Sequence, residues 1–457
     1  MALASDKNAK SVVALSKSPV FHREYSSVSK AIAQLAVDER ELKRVGRLFR
    51  AQQLKYFPVR ARNYWQTDVV NIFREYAPCL PGREFRHKAN QVIVGNKPLG
   101  IGYGLSSINL ADLESGWSLP FEFRRIKSTE AALEVGAAQI KALCERAELA
   151  ESLQINACDS QYGVAEYMTK VCEIENLVNV IRLRHGNKVF ESEYRATGGA
   201  RQLYGTQYHL IEASGWHEYH RKEKVYHKYL TSIYEKPAAE YAELEKETRR
   251  GKKLRIELRR WVGMKMRSKR GQRMKEVEFE IVGLRVLNKE TNERVFKQDV
   301  FVAVVGPARE ALGIEEVAEV FYHRFDLEVT NRLMKQNLFL ESYQTPVLQH
   351  LDNWLLVVQE SLWLLWAAST QVEQVSEKWQ QYGEPKRAEG ERKTAAQTRK
   401  GLEQLLLTFE KKVYLPKKCK KGLGRQKGDF QEPRKQYRVM RKWGELIEIV
   451  KTERRQE

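Results

Sequence analysis

Arg324, Glu328, Arg332 and Lys335 fall at helical spacing in the segment FYHRFDLEVTNRLMK, residues 321–335. At about 100° per residue, Arg324 and Arg332 lie roughly 40° from Glu328 around a helix, and Lys335 roughly 20°. One carboxylate therefore shares a stripe with three cations. Two chemistries suit such a stripe. An exposed helix would gain about 0.2–0.5 kcal/mol from each i,i+4 ion pair. A metal-binding carboxylate flanked by groups that grip phosphate would look the same, but it needs further acids elsewhere in the chain.

Two such acids stand out. Asp68 falls inside the strand-like run NYWQTDVV (63–70), and Asp159 ends the apolar run of LQINACDSQYG (153–163). A carboxylate on a sheet strand is costly to bury unless it is paired or binds a metal. Each has a plain alternative: a strand-edge or turn aspartate for Asp68, and a cap of the next helix for Asp159. Three acids gathered at one edge would repel one another unless cations neutralised them. Two divalent ions about 4 Å apart do so, and they clamp the attacking and leaving oxygens of a phosphoryl displacement. Oxygen ligands suit Mg²⁺, with Mn²⁺ as a substitute.

The composition agrees with a phosphate-bearing partner. Lys and Arg total 79 against 59 Asp and Glu, a formal net charge of +20 and a pI near 9.5. Counterion release on neutralising phosphates makes nucleic acid the leading partner for such an excess, ahead of an anionic membrane. A chain of 457 residues with 42% hydrophobic content has room for two or three domains and a substantial core. The opening MALASDKNAKSVVALSKSPVF lacks a basic n-region followed by an apolar run. WLLVVQESLWLLWAAS (354–369) is interrupted by Gln359, Glu360 and Ser361 and reads as a buried core helix, too short to span a membrane. The five cysteines show no CxxC spacing, which leaves the cytoplasm as the expected compartment.

The elements that must position the acids follow from periodicity. Residues 1–58 read as helical, with a basic end at Lys43, Arg44, Arg47 and Arg50 that suits DNA. Strands are expected at 63–70, 91–94, 99–110, 119–126, 153–159 and 177–183, with helices at about 129–150 and from about 163. The fold class predicted is α/β, a mixed sheet flanked by helices, with functional groups at strand ends. Residues 190–298 form a β-rich basic insertion, in which Leu254, Ile256 and Leu258 alternate with Lys253, Arg255 and Arg259. DVFVAVVG (299–306), the stripe helix and the apolar helix at 347–372 return to core character, and 373–457 is polar, with a basic arm at 411–428.

Other features read more plainly. His217, His220 and His227 make a polar face and not an HExxH motif, Cys158 is a small buried residue, and GIGYG (100–104) lacks the lysine and helix of a phosphate loop.

The joint pattern resembles the DDE-type insertion-sequence transposases whose last acid lies in a Tyr-Arg-Glu-Lys signature, with two, three and six residues in its gaps. Arg324, Glu328 and Lys335 match its last three positions. Phe321 occupies the tyrosine position, with Tyr322 one place later. TDVVNIFREYAPCLPGREF matches the first acid at Asp68, ACDSQYG the second at Asp159, and RFDLE and YQTPVLQHLDNWLL are also similar to the group. The likeness covers most of the chain. Asp68 is followed by Val69, Val70 and Asn71 where the group often has a hydroxyl residue, and Gly82 precedes Arg83 where it often has an acid.

The resemblance implies a ribonuclease H-like core (59–189 and 299–372) interrupted by the insertion (190–298), with a helical DNA-binding region before it (1–58). It implies Mg²⁺-dependent nicking and strand transfer at the ends of a mobile element. Asp68, Asp159 and Glu328 would hold two ions. Arg324, Lys335, Tyr322, Arg332, Arg259, Lys269 and Arg270 would contact DNA, and Trp261 would stack on an unpaired base unless it packs in the core. The implied partners are double-stranded DNA, at element ends and target, and a second copy of the chain on that DNA. The implied setting is bacterial and nucleoid-associated, with no membrane. The alternative is a catalytically impaired or repurposed transposase-derived DNA-binding protein.

Overall fold

The structure, a computed structural model, describes residues 1–6, 11–18, 20, 25–88, 98–192, 204–221, 224–248, 251–267, 277–373, 375, 390–406, 408, 433–440 and 448–449. The expected strand at 91–94, Lys269, Arg270 and the arm at 411–428 lie outside the described residues.

In chain order the elements begin with helices α1 (Ala2–Ser5), α2 (Val12–Leu15), α3 (Tyr25–Ala33) and α4 (Glu39–Tyr56). Strands β1 (Arg62–Phe73), β2 (Glu84–His87), β3 (Leu99–Asp112) and β4 (Trp117–Arg125) follow. Next come α5 (Ala132–Cys144), β5 (Leu153–Cys158), α6 (Ala165–Val171) and β6 (Leu177–Arg182). Then come β7 (Lys188–Glu191), β8 (Gln207–His209), β9 (Gly215–Arg221), β10 (Lys224–Leu230), β11 (Glu240–Glu247), β12 (Lys253–Met266) and β13 (Phe279–Asn288). Strand β14 (Val300–Val305) leads to α7 (Ile314–Gln336), α8 (Leu348–Ala368) and α9 (Ala395–Leu406). The class is mixed α/β, with a large mixed sheet flanked by helices.

Two compact units divide the chain. One gathers Met1–Pro58, Val69–Ala132 and Glu328–Glu457, the other Val59–Asp68 and Leu133–Leu327. Strand β1 and helix α7 each contribute one part to the first unit and the other part to the second.

The first unit is organised by α8. Leu351, Trp354, Leu355, Val358, Leu362, Leu365 and Trp366 of this helix are buried. The Asn353 side chain, fully buried, donates to the carbonyls of Ile32, Ala33 and Ala36 and so satisfies the open end of α3. Arg125 on β4 grips Asp352 through two bonds of 3.0 and 3.1 Å. Trp363 Nε1 donates to the Pro120 carbonyl at 2.8 Å. Helix α4 starts where Asp38 accepts from the Glu41 amide at 2.7 Å and the Glu41 carboxylate accepts back from the Val37 amide. The glycines of GIGYG lie inside β3, and a Cβ on Gly102 would stand 1.9 Å from the Ile72 carbonyl oxygen. They are therefore packing residues that let β1 approach β3.

In the second unit the strand order runs β1-β5-β6-β14-β13-β12-β7-β8, with β11 paired to β12. Strands β1, β5 and β6 are parallel, and β14 joins β6 antiparallel. Ile155, Ala157, Val178, Val180, Val302 and Val304 bury one face of these strands against Val317, Val320 and Phe321 of α7. Strands closed on both faces read as near-continuous apolar runs, as LVNVIRL and DVFVAVVG do. Strands β12 and β13 extend this same sheet, while β9 and β10 make a separate hairpin. Among the described residues, no helix is long and apolar enough to cross a membrane.

Candidate functional site

The register of β1 on β5 ends with Thr67 opposite Cys158, so Asp68 and Asp159 are the next residues on two adjacent parallel strands. Both are half-buried. The Cys158 thiol, fully buried, is pushed up to about 12, first by burial and further by the negative charges of Asp159 and Asp68. Two carboxylates thus bear on one sulfur, Asp68 from within β1 and Asp159 from just past the end of β5. Residues 64, 66 and 68 share one face of β1 by the two-residue period. On that face Tyr64 donates to Glu316 at 3.0 Å and Gln66 Nε2 donates to the His323 carbonyl at 2.7 Å. The Arg62 guanidinium also bonds Glu316 and donates to the Ala311 carbonyl. The first part of α7 is therefore fixed along β1 by polar bonds as well as by its apolar contacts.

Within the first unit, Glu328 is exposed and lines a pocket of about 410 Å³ with Val69, Val70, Asn71, Asn331, Arg332 and Lys335. His87 and Lys88, at the end of β2, also face this pocket. Sequence reasoning missed them, because only the hairpin-like return of β2 along β3 brings them there. The Lys335 ammonium donates to the Asn71 carbonyl at 2.6 Å and pairs with Glu341 at 3.5 Å. Lys88 pairs with Glu75 at 2.7 Å. Both ammonium groups stand over the Phe73 ring, 4.7 Å from its centroid for Lys88 and 5.7 Å for Lys335. Arg332 is exposed.

Other expected contacts sit differently from the sequence reading. Arg324, expected to face DNA, is buried at 3% exposure, its guanidinium 4.9 Å from the Phe325 ring centroid. Phe321, at the signature's tyrosine position, is buried, whereas Tyr322 is exposed with the Lys246 ammonium 3.6 Å from its ring centroid. Trp261 is a core residue at 1% exposure, and the base-stacking reading is corrected accordingly. Its indole donates to the Lys236 carbonyl and packs on Tyr234 and Phe301. Arg259 lies over Tyr234 and Tyr241, at 5.1 and 5.8 Å.

The β9–β10 hairpin of the second unit carries a cluster of four exposed aromatics. Trp216 and Tyr229 face one another at one register position and Tyr219 and Tyr226 at another. His217, His220 and His227 are exposed on the same hairpin, as expected of a polar face, and His220 Nε2 lies 3.1 Å from Glu218.

For a divalent ion, the adjacent carboxylates of Asp68 and Asp159 are suitable donors, since Mg²⁺ binds through one or two carboxylates and keeps water and phosphate in its remaining positions. Among the described residues, no group of three or more His, Cys, Asp or Glu side chains gathers as a complete ligand set. No family model matches this chain, and no curated protein sequence matches it.

Proposed function

We propose that the protein is a Mg²⁺-dependent DDE-type transposase with a ribonuclease H-like core, which nicks DNA at the ends of a mobile element and transfers the freed 3′-hydroxyl to target DNA. The observation that carries this reading is the β1–β5 register, in which Asp68 within β1 and Asp159 just past the end of β5 each follow the paired residues Thr67 and Cys158. The parallel trio β1, β5 and β6 at the heart of the sheet and the net charge of +20 support it. So does the presence of Glu328 in a pocket shared with Arg332, Lys335 and Lys88.

In this reading Asp68, Asp159 and Glu328 are the metal-holding carboxylates. Bound ions would supply a Lewis acid and an activated oxygen nucleophile. Arg332, Lys88 and Lys335 would position backbone phosphates, with the Asn71 and Glu341 contacts of Lys335 holding its ammonium in place until a phosphate competes for it. Arg324, buried one helical turn ahead of Glu328, would then not reach the DNA backbone directly. A dimer on paired ends follows from the same reading.

The test is cleavage of a duplex carrying the repeats that flank the reading frame, with Mg²⁺ or Mn²⁺. Asp159→Asn and Glu328→Gln should each lose more activity than the about 10–100-fold typical of removing an outer-shell partner. Equal product from both variants and the wild type overturns the assignment. A second reading, a transposase-derived protein that binds DNA without cutting it, draws on Phe321 at the tyrosine position and on the internal contacts of Lys335. Tight binding with no cleavage by the wild type would select it.

A further inference from the structure

The face of β1 opposite Asp68 carries a set of polar side chains where closed parallel strands normally carry aliphatic ones. Asn63 Nδ2 donates to Ser152 Oγ at 3.1 Å, Trp65 Nε1 to Gln154 Oε1 at 2.8 Å, and Thr67 Oγ1 to Asn156 Oδ1 at 2.8 Å. All three bonds span the same 89 residues, and in all three β1 donates. Trp65, Thr67, Gln154 and Asn156 are 0–1% exposed. The row continues to a third strand, where Asn156 Nδ2 donates to Asn179 Oδ1 at 2.9 Å and Tyr167 OH donates to the same oxygen at 3.3 Å.

We propose that this side-chain zipper is a register lock, and that Asn63, Trp65, Thr67 and Asn156 are positioning residues for the Asp68–Asp159 pair. Apolar contacts between two buried strands tolerate a slip of two residues, because the same faces stay inward. Such a slip would move Asp159 about 6.6 Å along Asp68 at 3.3 Å per residue. It would break all three bonds as paired here, and although two donors could find shifted acceptors in the row, the third would be left facing the Cys158 sulfur (Thr67) or Ala150 (Asn63). The zipper therefore penalises the one misalignment that hydrophobic burial does not resist, and it ends one residue before Asp68 and three before Asp159.

The consequence for metal binding rests on the proposed function; the lock itself does not. Two measurements separate them. Thr67→Val keeps shape and removes the hydroxyl, Thr67→Ser restores it, and Trp65→Phe combined with Thr67→Val removes two of the bonds. In the full chain without metal, hydrogen exchange of the amides in Arg62–Thr67 and Leu153–Cys158 should be about tenfold faster in the double variant and near wild type in Thr67→Ser. Binding of Mn²⁺ alone, followed by electron paramagnetic resonance, should weaken about tenfold in Thr67→Val and recover within twofold in Thr67→Ser. Unchanged exchange in the double variant overturns the lock, as does a Thr67→Ser variant no better than Thr67→Val, which would make the effect one of packing. Faster exchange in a protein whose wild type binds no Mn²⁺ keeps the lock and removes the metal reading. Wild-type Mn²⁺ affinity in a folded double variant overturns the positioning role.

Discussion

Glu360 sits on α8 and bonds one partner, Gln53 of α4, whose Nε2 donates to it at 2.6 Å. Burial raises its pKa to about 7 from an ordinary 4.5, and the bond from Gln53 opposes that shift. A carboxyl whose pKa is higher in the folded state binds its proton better folded than unfolded. Stability is then fully present below about pH 4.5 and declines as the pH rises towards 7, because the unfolded chain releases the proton first. At 1.36 kcal/mol per pKa unit, the loss at pH 8 is about 3 kcal/mol. Glu360→Gln removes the ionisation, and its amide oxygen still accepts from Gln53. The variant should match wild type in urea unfolding at pH 4 and exceed it by about 3 kcal/mol at pH 8. An offset of the same size at both pH values would refute the burial argument, since it would arise from contacts and not from a proton.

Two other expectations test burial elsewhere. The Cys158 and Cys144 thiols are both buried and both pushed up to about 12, so alkylation at pH 8 read by mass spectrometry should modify half-buried Cys79 and Cys172 well before either. Rapid labelling of Cys158 in the folded protein would contradict the packing behind the two aspartates. The buried Arg83 guanidinium donates to the carbonyls of Leu80, Arg74, Glu75 and Tyr437, so Arg83→Met should cost about 3 kcal/mol or more in denaturant unfolding. A loss below about 1 kcal/mol would show those carbonyls to be solvated.

The sequence carried the strands around the site well. NYWQTDVV, LPFEFRRI, LVNVIRL and DVFVAVVG are β-branched and aromatic runs bounded by turn formers, and each became β1, β4, β6 or β14 within a few residues. Helix α7 was visible from its spacing, and α8 from its apolar length. Charge patterning proved a weaker guide. Arg324 shares a stripe with Glu328, yet it is buried and Glu328 is exposed, because a stripe about 100° wide spans both core and surface. Trp261 lies on a strand with one cationic face, and only the pairing of β12 with β13, together with the packing of Tyr234, shows that its own face is the core. The zipper was invisible for a related reason. Asn63, Trp65 and Thr67 look like ordinary strand residues until the partners 89 positions away are known.

The division of β1 between the two units bears on how the chain is made. During synthesis Arg62–Thr67 leaves the ribosome well before the β5 residues that receive its donors, and Ile314–Leu327 of α7, which covers the opposite face, emerges later still. Until then the donors of Arg62–Thr67 are satisfied by water, and they exchange it for the β5 acceptors only when Leu153–Cys158 has been made. Neither unit can be completed from a single uninterrupted stretch of polypeptide. Closure of each unit therefore waits on its last segment, Ile314–Leu327 for the second and the chain beyond Glu328 for the first.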